Sequence, residues 1–186
     1  GVTSSFNAMN KIISKEIFIK NKIRTPKFFS FKKKKFNTKK FKNNMINKKI
    51  KFPVVVKPIN EGSSLGVKIC KNNTKLIKET RNLFKKYDQL IFEEYIGGQE
   101  VQVAVINREP LGAIELVPKR LFYDYKAKYT KDAKTKHIMP ARLNKKKYLE
   151  VLKIAKKAHK VLGCKGVTRS DFKFFDNKFY LLEINT

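Results

Sequence analysis

The chain has 186 residues, 44 of them lysine or arginine against 15 aspartate or glutamate, for a formal net charge of +29. That length allows one or two domains with a real apolar core, and no apolar run approaches the length of a membrane span. Two cysteines, Cys70 and Cys164, lie far apart and lack metal-ligand spacing, which excludes a disulfide framework and suggests structural thiols in a reducing cytosol.

Taken in order, residues 8–22 read as a helix, and Thr25-Pro26 marks its break into an extended segment. Val54, Val55 and Val56 are β-branched and apolar, so 53–57 reads as a buried strand that ends by delivering Lys57. Pro58 stops that strand, and a loop of small residues, Glu61-Gly62-Ser63-Ser64-Leu65-Gly66, leads into a strand over 66–70. Asn73 is positioned to cap a helix whose apolar face is Leu76, Ile77, Thr80, Leu83, Phe84 and Tyr87. Strand 89–94, a Gly97-Gly98 turn and strands 100–107 and 111–118 follow. Residues 122–138 have no clean period and suit a mobile loop. Leu149, Leu152, Ala155, Ala158 and Leu162 define an amphipathic helix ending at Gly163, and a hairpin closes the chain. The arrangement is α+β, with a domain boundary near Tyr95–Gly98.

Two constellations carry chemistry. Two strands joined by a Gly/Ser loop, with Lys57 at the mouth, suit phosphate: backbone N–H groups close on the oxygens and the ammonium acts as a point charge. The spacing is not that of a P-loop. In the terminal hairpin, a loop over Asp176-Asn177-Lys178 would pair Phe175 with Phe179, Asp171 with Glu183, and Arg169 with Asn185. One face then carries Arg169, Asp171, Glu183 and Asn185, while Phe172, Phe174, Tyr180, Leu182 and Ile184 form an apolar face. Carboxylates directly opposed across a sheet repel. A divalent cation resolves that conflict, and Asp, Glu and Asn oxygens suit Mg²⁺.

These residues carry a resemblance. Ala8-Met9-Asn10-Lys11, Val54–Val67, Glu93-Glu94-Tyr95-Ile96 with Glu100, Phe122–Tyr129, Leu162-Gly163-Cys164, Arg169-Ser170-Asp171 and Leu182–Thr186 are similar, in order and spacing, to the D-alanine–D-alanine ligases of the ATP-grasp superfamily. The Tyr123-Asp124-Tyr125-Lys126-Ala127-Lys128-Tyr129 segment is the most specific piece, and residues 31–50 lack a counterpart. The resemblance implies an ATP-grasp fold, two α+β subdomains clasping ATP, here 1–97 as the central (lid) subdomain and 98–186 as a truncated C-terminal subdomain with the metal site. It also implies a fragment, lacking the family's N-terminal domain and extreme C-terminus, that binds ATP and Mg²⁺ at best when alone.

The roles the resemblance implies are these. Lys11 and Lys57 contact ATP phosphates, with Ser64 of the Gly/Ser loop beside them; the family usually has Asp where this chain has Asn10. Glu93, Glu94 and Ile96 form the adenine-binding hinge, and Glu100 accepts the ribose hydroxyls. Lys128 reaches the γ-phosphate, and Tyr129 seals the site against Ser63, excluding water from an acyl phosphate. Arg169 stabilises developing negative charge. Asp171, Glu183 and Asn185 hold Mg²⁺ or Mn²⁺, two ions in all.

The implied reaction joins two D-alanines through a D-alanyl phosphate, giving D-alanyl-D-alanine, ADP and phosphate for peptidoglycan synthesis in the cytoplasm. The partners implied are D-alanine, ATP and a second copy of the full-length chain, with no membrane. His137 and His159 fit nowhere in the pattern, and His159 reads as an inert surface residue. A D-Ala–D-Lac or D-Ala–D-Ser ligase is the alternative within the superfamily. A basic polyanion-binding module is the alternative from another class, since a charge of this size ordinarily points to nucleic acid. Against it, the excess is almost all lysine, as an AT-rich coding sequence would give. A specific reader would use arginine and exposed aromatics. The lysines of 32–42 and 48–51 therefore read as a solvated stretch, with no specific nucleic acid expected.

Overall fold

The computed structural model describes residues 1–118 and 135–186. They form two compact units, one of residues 26–95 and one of residues 1–25 together with 96–186. The units differ from the expected division into 1–97 and 98–186, since residues 1–25 do not cluster with 26–95. Residues 1–25 cluster with the later segment because Ala8, Phe18 and Ile23 join its apolar core.

The unit of residues 26–95 is an antiparallel sheet ordered β1-β4-β2-β3, built from β1 (Phe28–Lys32), β2 (Val54–Pro58), β3 (Lys68–Cys70) and β4 (Gln89–Glu94). Helix α3 (Thr38–Asn47) and helix α4 (Asn73–Phe84) pack their apolar sides into it. Its core is aromatic: Phe29, Phe31, Phe41, Phe84 and Phe92 join Val54, Val56, Leu76 and Leu90. β1 lies in the extended segment expected after Thr25-Pro26, whereas α3 is not visible in the sequence pattern, because lysines surround its one buried anchor. In α3 only Phe41 is buried, while Lys39, Lys40 and Lys42 are exposed.

The other unit carries a five-stranded antiparallel sheet ordered β7-β6-β5-β8-β9. Its strands are β5 (Gln99–Ile106), β6 (Glu109–Val117), β7 (Lys136–Ile138), β8 (Val167–Phe175) and β9 (Lys178–Asn185). Helices α1 (Val2–Met9), α2 (Lys11–Lys20) and α5 (Lys145–Val161) belong to the same unit. Its core is mainly aliphatic, with Val101, Val103, Val105, Val151, Ala155, Leu181 and Ile184 among its buried members. Gly98 is required by the backbone: its φ is +79°, and a Cβ there would collide with the Phe174 carbonyl oxygen.

Asparagine explains several helix starts. The side chains of Asn10, Asn37, Asn72 and Asn144 accept backbone N–H groups at the N-termini of α2, α3, α4 and α5. The expected helix over 8–22 is thus two helices, interrupted where Asn10 turns extended to cap the second. For α4 the cap is Asn72, one residue before the expected Asn73.

The terminal hairpin differs from expectation in an instructive way. Its turn is two residues, Asp176 and Asn177, both left-handed at φ 49° and 57°, as a tight hairpin turn demands. Phe175 therefore pairs with Lys178, and Phe174 with Phe179, rather than Phe175 with Phe179. A bulge opposite the Asp171/Phe172 step then adds a residue on β9, and Asp171 pairs with Glu183 and Arg169 with Asn185, as expected. Before the bulge the core-facing residues are Phe179 and Leu181, not Tyr180 and Leu182, which are only half-buried.

Candidate functional site

In the unit of residues 26–95, β2 and β4 place Lys57 beside Glu93. Val55 faces Glu93 and Lys57 faces Ile91, so Lys57 and Glu93 are diagonal neighbours on one face. The Lys57 ammonium lies 3.0 Å from the Glu93 carboxylate, with side-chain exposures of only 10% and 3%. After β2 the chain enters the Gly/Ser loop, where Ser63, Ser64 and Gly66 all take positive φ, at 51°, 60° and 72°. Leu65 N–H donates to the Gly62 carbonyl and Val67 N–H to Ser64, so the loop is a closed turn with a defined shape. A Cβ on Gly66 would meet the Pro58 ring at 2.9 Å, which ties the loop back onto the end of β2. At the end of β4, the Glu94 carboxylate accepts the Lys27 backbone N–H at 2.9 Å, and Glu94 N–H donates to the Lys27 carbonyl.

In the other unit, β8 and β9 assemble the acidic group. Asp171 is nearly buried and takes a bidentate pair of hydrogen bonds from Arg169, Nε at 2.8 Å and Nη2 at 3.1 Å. Asn185 Nδ2 also donates to Asp171, at 3.4 Å. Glu183 stands directly across from Asp171, and Lys11 Nζ approaches its carboxylate at 3.8 Å. Lys11 is buried at the first turn of α2, where the Asn10 amide oxygen accepts the N–H groups of Ile12 and Ile13. An aspartate would cap the same way, so the departure at Asn10 leaves the helix start intact. Glu100 pairs with Lys173 across β5 and β8, at 3.0 Å.

Ile96 opens this unit in a half-buried position. Lys128 and Tyr129, with the segment Phe122–Tyr129, lie outside the described residues.

Among the described residues, no group of three or more His, Cys, Asp or Glu side chains is placed to hold a metal ion. The acidic group has two carboxylates, Asp171 and Glu183, and needs the Asn185 amide oxygen as a third donor. All three are hard oxygen donors, a set that fits a hard divalent cation such as Mg²⁺ or Mn²⁺.

Sequence reasoning missed two buried polar features. Glu115 on β6 is held by Arg142, whose Nε and Nη2 donate to it at 2.8 and 2.6 Å. Those bonds hold its carboxyl below the usual carboxylate range, against the opposing effect of burial. The signal was a lone acid in the apolar run Ala113-Ile114-Glu115-Leu116-Val117. His159 is not a surface residue: it is fully buried, with Nδ1 2.8 Å from Thr168 Oγ1. Burial pushes its pKa down, and Arg108 adds to the effect.

Residues 17–186 match the family model described as D-ala D-ala ligase C-terminus. The chain is 58% identical to the D-alanine–D-alanine ligase of Pelagibacter ubique over all of its own length and 60% of the relative's. Among solved structures, it resembles a D-alanine–D-alanine ligase from Bacillus anthracis at 32% identity and a TM-score of 0.84, covering 59% of that chain. It also resembles the Bacillus anthracis ligase complexed with ATP, at 29% identity and a TM-score of 0.81. The chain thus spans about 60% of the length of the relatives it matches. With the family model matching most of the chain and a solved ligase sharing its fold, the chain belongs to the D-alanine–D-alanine ligase C-terminal family, with the ATP-grasp fold.

Proposed function

We propose that this chain is the nucleotide-handling part of an enzyme that joins two D-alanines. ATP phosphorylates the carboxylate of the first, giving D-alanyl phosphate and ADP. The amine of the second attacks that carbonyl carbon, and phosphate leaves. Neither step needs a protein nucleophile, so positioning and charge neutralisation are what the side chains supply.

The observation that carries this reading is the opposition of Asp171 and Glu183, with Arg169 and Asn185 beside them, in a chain of this family. Asp171, Glu183 and Asn185 would hold the divalent cation, which when bound neutralises charge on the phosphates. Arg169 would meet negative charge developing on the transferred phosphoryl group and the tetrahedral intermediate. Lys57 and Lys11 would contact phosphate oxygens, and the turn carrying Ser63 and Ser64 would offer backbone N–H groups. Glu93 and the backbone at Ile96 would read the adenine, with Glu94 bracing the hinge through Lys27, and Glu100 would accept the ribose hydroxyls. The dipeptide would serve peptidoglycan synthesis in a bacterial cytoplasm, and the full-length enzyme would work as a homodimer.

The test is a product assay on the full-length protein that contains this chain. ADP release that requires D-alanine, with D-alanyl-D-alanine as the product, is the expected result. A product carrying D-lactate or D-serine in second place would move the assignment to the alternative ligases.

A further inference from the structure

The bulge on β9 decides whether an acidic pair exists at all. If the register Phe172–Leu181 ran on without it, Asp171 would face Leu182 and Arg169 would face Ile184; the extra residue instead brings Glu183 opposite Asp171. β9 is an edge strand, so its sister strand alone cannot hold the outer side of that bulge.

Something else holds it. The segment before β1 runs past Leu181: Leu181 N–H donates to the Arg24 carbonyl at 2.9 Å, and the Thr25 hydroxyl donates to the Leu181 carbonyl at 2.8 Å. Thr25 Oγ1 in turn accepts from Lys15 Nζ at 2.6 Å. Lys15 is 0% exposed, one helical turn after Lys11 on α2. Helix α2 therefore reaches β9 twice, at Glu183 through Lys11 and at Leu181 through Lys15 and Thr25. The two contacts fall on either side of Leu182, the half-buried residue between Leu181 and Glu183.

We infer that Lys15 and Thr25 are positioning residues for the acidic pair, a buried polar strut that fixes the β9 bulge and with it the register of Glu183 and Asn185. The inference rests on the reading that these residues hold a divalent cation, but its structural half stands apart from that reading. A fully buried lysine ammonium needs hydrogen-bond partners, and Thr25 supplies one. The Lys15 ammonium bonds the hydroxyl, and the hydroxyl proton is thereby directed onto the strand carbonyl.

The variant pair Thr25→Val and Thr25→Ser tests it, the first keeping the shape and losing the hydroxyl, the second keeping the hydroxyl. Two readouts are compared in each folded protein: hydrogen-exchange protection of the amides from Leu181 to Asn185, and Mn²⁺ affinity in the presence of ATP. Thr25→Val is expected to lower protection in that stretch while leaving the Val103 amide unchanged, and to weaken Mn²⁺ about tenfold, in the range seen when partners of metal ligands are removed. Thr25→Ser is expected to restore both. Unchanged protection in Thr25→Val, or lost protection with unchanged Mn²⁺ affinity, overturns the inference. If the unaltered chain binds no Mn²⁺, the cation reading itself fails, and the exchange data alone decide whether the strut sets the register. Lys15→Met serves as a second variant should Thr25→Val not fold.

Discussion

Two charged pairs in this molecule are built in opposite ways. Lys57 and Glu93 are both nearly excluded from solvent and carry opposite signs, 3.0 Å apart. Asp171 and Glu183 carry the same sign and face one another across a strand pair, with compensation coming from the side: Arg169 grips Asp171, and Lys11 stands 3.8 Å from Glu183. In the first arrangement opposite charges compensate one another, and removing one strands a buried charge. The second has a conflict left in it, and a bound cation would relieve that conflict. The same sheet geometry, with side chains sharing a face across neighbouring strands, can thus give a matched ion pair or a like-charged pair, depending on the signs placed there.

The contrast gives ordered expectations. Lys57→Met removes the ammonium beside buried Glu93 and is expected to cost about 3–5 kcal/mol in urea unfolding. Combining it with Glu93→Leu should recover most of that loss, because replacing both partners removes the stranded charge. A Lys57→Met variant as stable as the parent would remove the distinction between the two pairs. Glu183→Gln should do the reverse. Unfolding stability stays level or rises by up to about 1 kcal/mol as the cross-strand repulsion disappears, while cation affinity falls.

The next effect is smaller and depends on pH. His159 has a folded pKa below its ordinary 6.5, chiefly through burial. The unfolded chain therefore binds the proton first as pH falls through about 6.5, and stability declines below that point by at most about 1.4 kcal/mol per pH unit. His159→Met should flatten that part of the profile in a thermal-melt series, and an unaltered slope would assign it to other groups. The smallest effect concerns the thiols. Cys70 and Cys164 are buried; burial pushes Cys70 up to about 11 and raises Cys164 as well. Both should stay unmodified by a thiol reagent at pH 8 until the protein is unfolded.

How far the sequence could be read depended on how much of each signal was local. The continuous valine run of β2 and the amphipathic period of α5 are local signals, and both elements lie where those signals put them. α3 was hidden because lysines and asparagines fill its exposed positions and leave too few apolar residues to set a period. The facing of Asp171 and Glu183 was legible, yet for an incomplete reason. A three-residue turn and an unbroken ladder give the same pairing as a two-residue turn plus a bulge. The difference shows only in the core, where Phe179 and Leu181 replace Tyr180 and Leu182. Neither the buried His159 nor the Lys15–Thr25–Leu181 chain could be read in advance, since each depends on partners that only the tertiary fold brings close.

The most direct measurement is calorimetric titration of ATP into the folded chain, with and without Mg²⁺, for the native protein and for Asp171→Asn/Glu183→Gln. Binding that requires both Mg²⁺ and the two carboxylates is the expected result. ATP binding by the folded protein that is indifferent to Mg²⁺ and to both substitutions would contradict it.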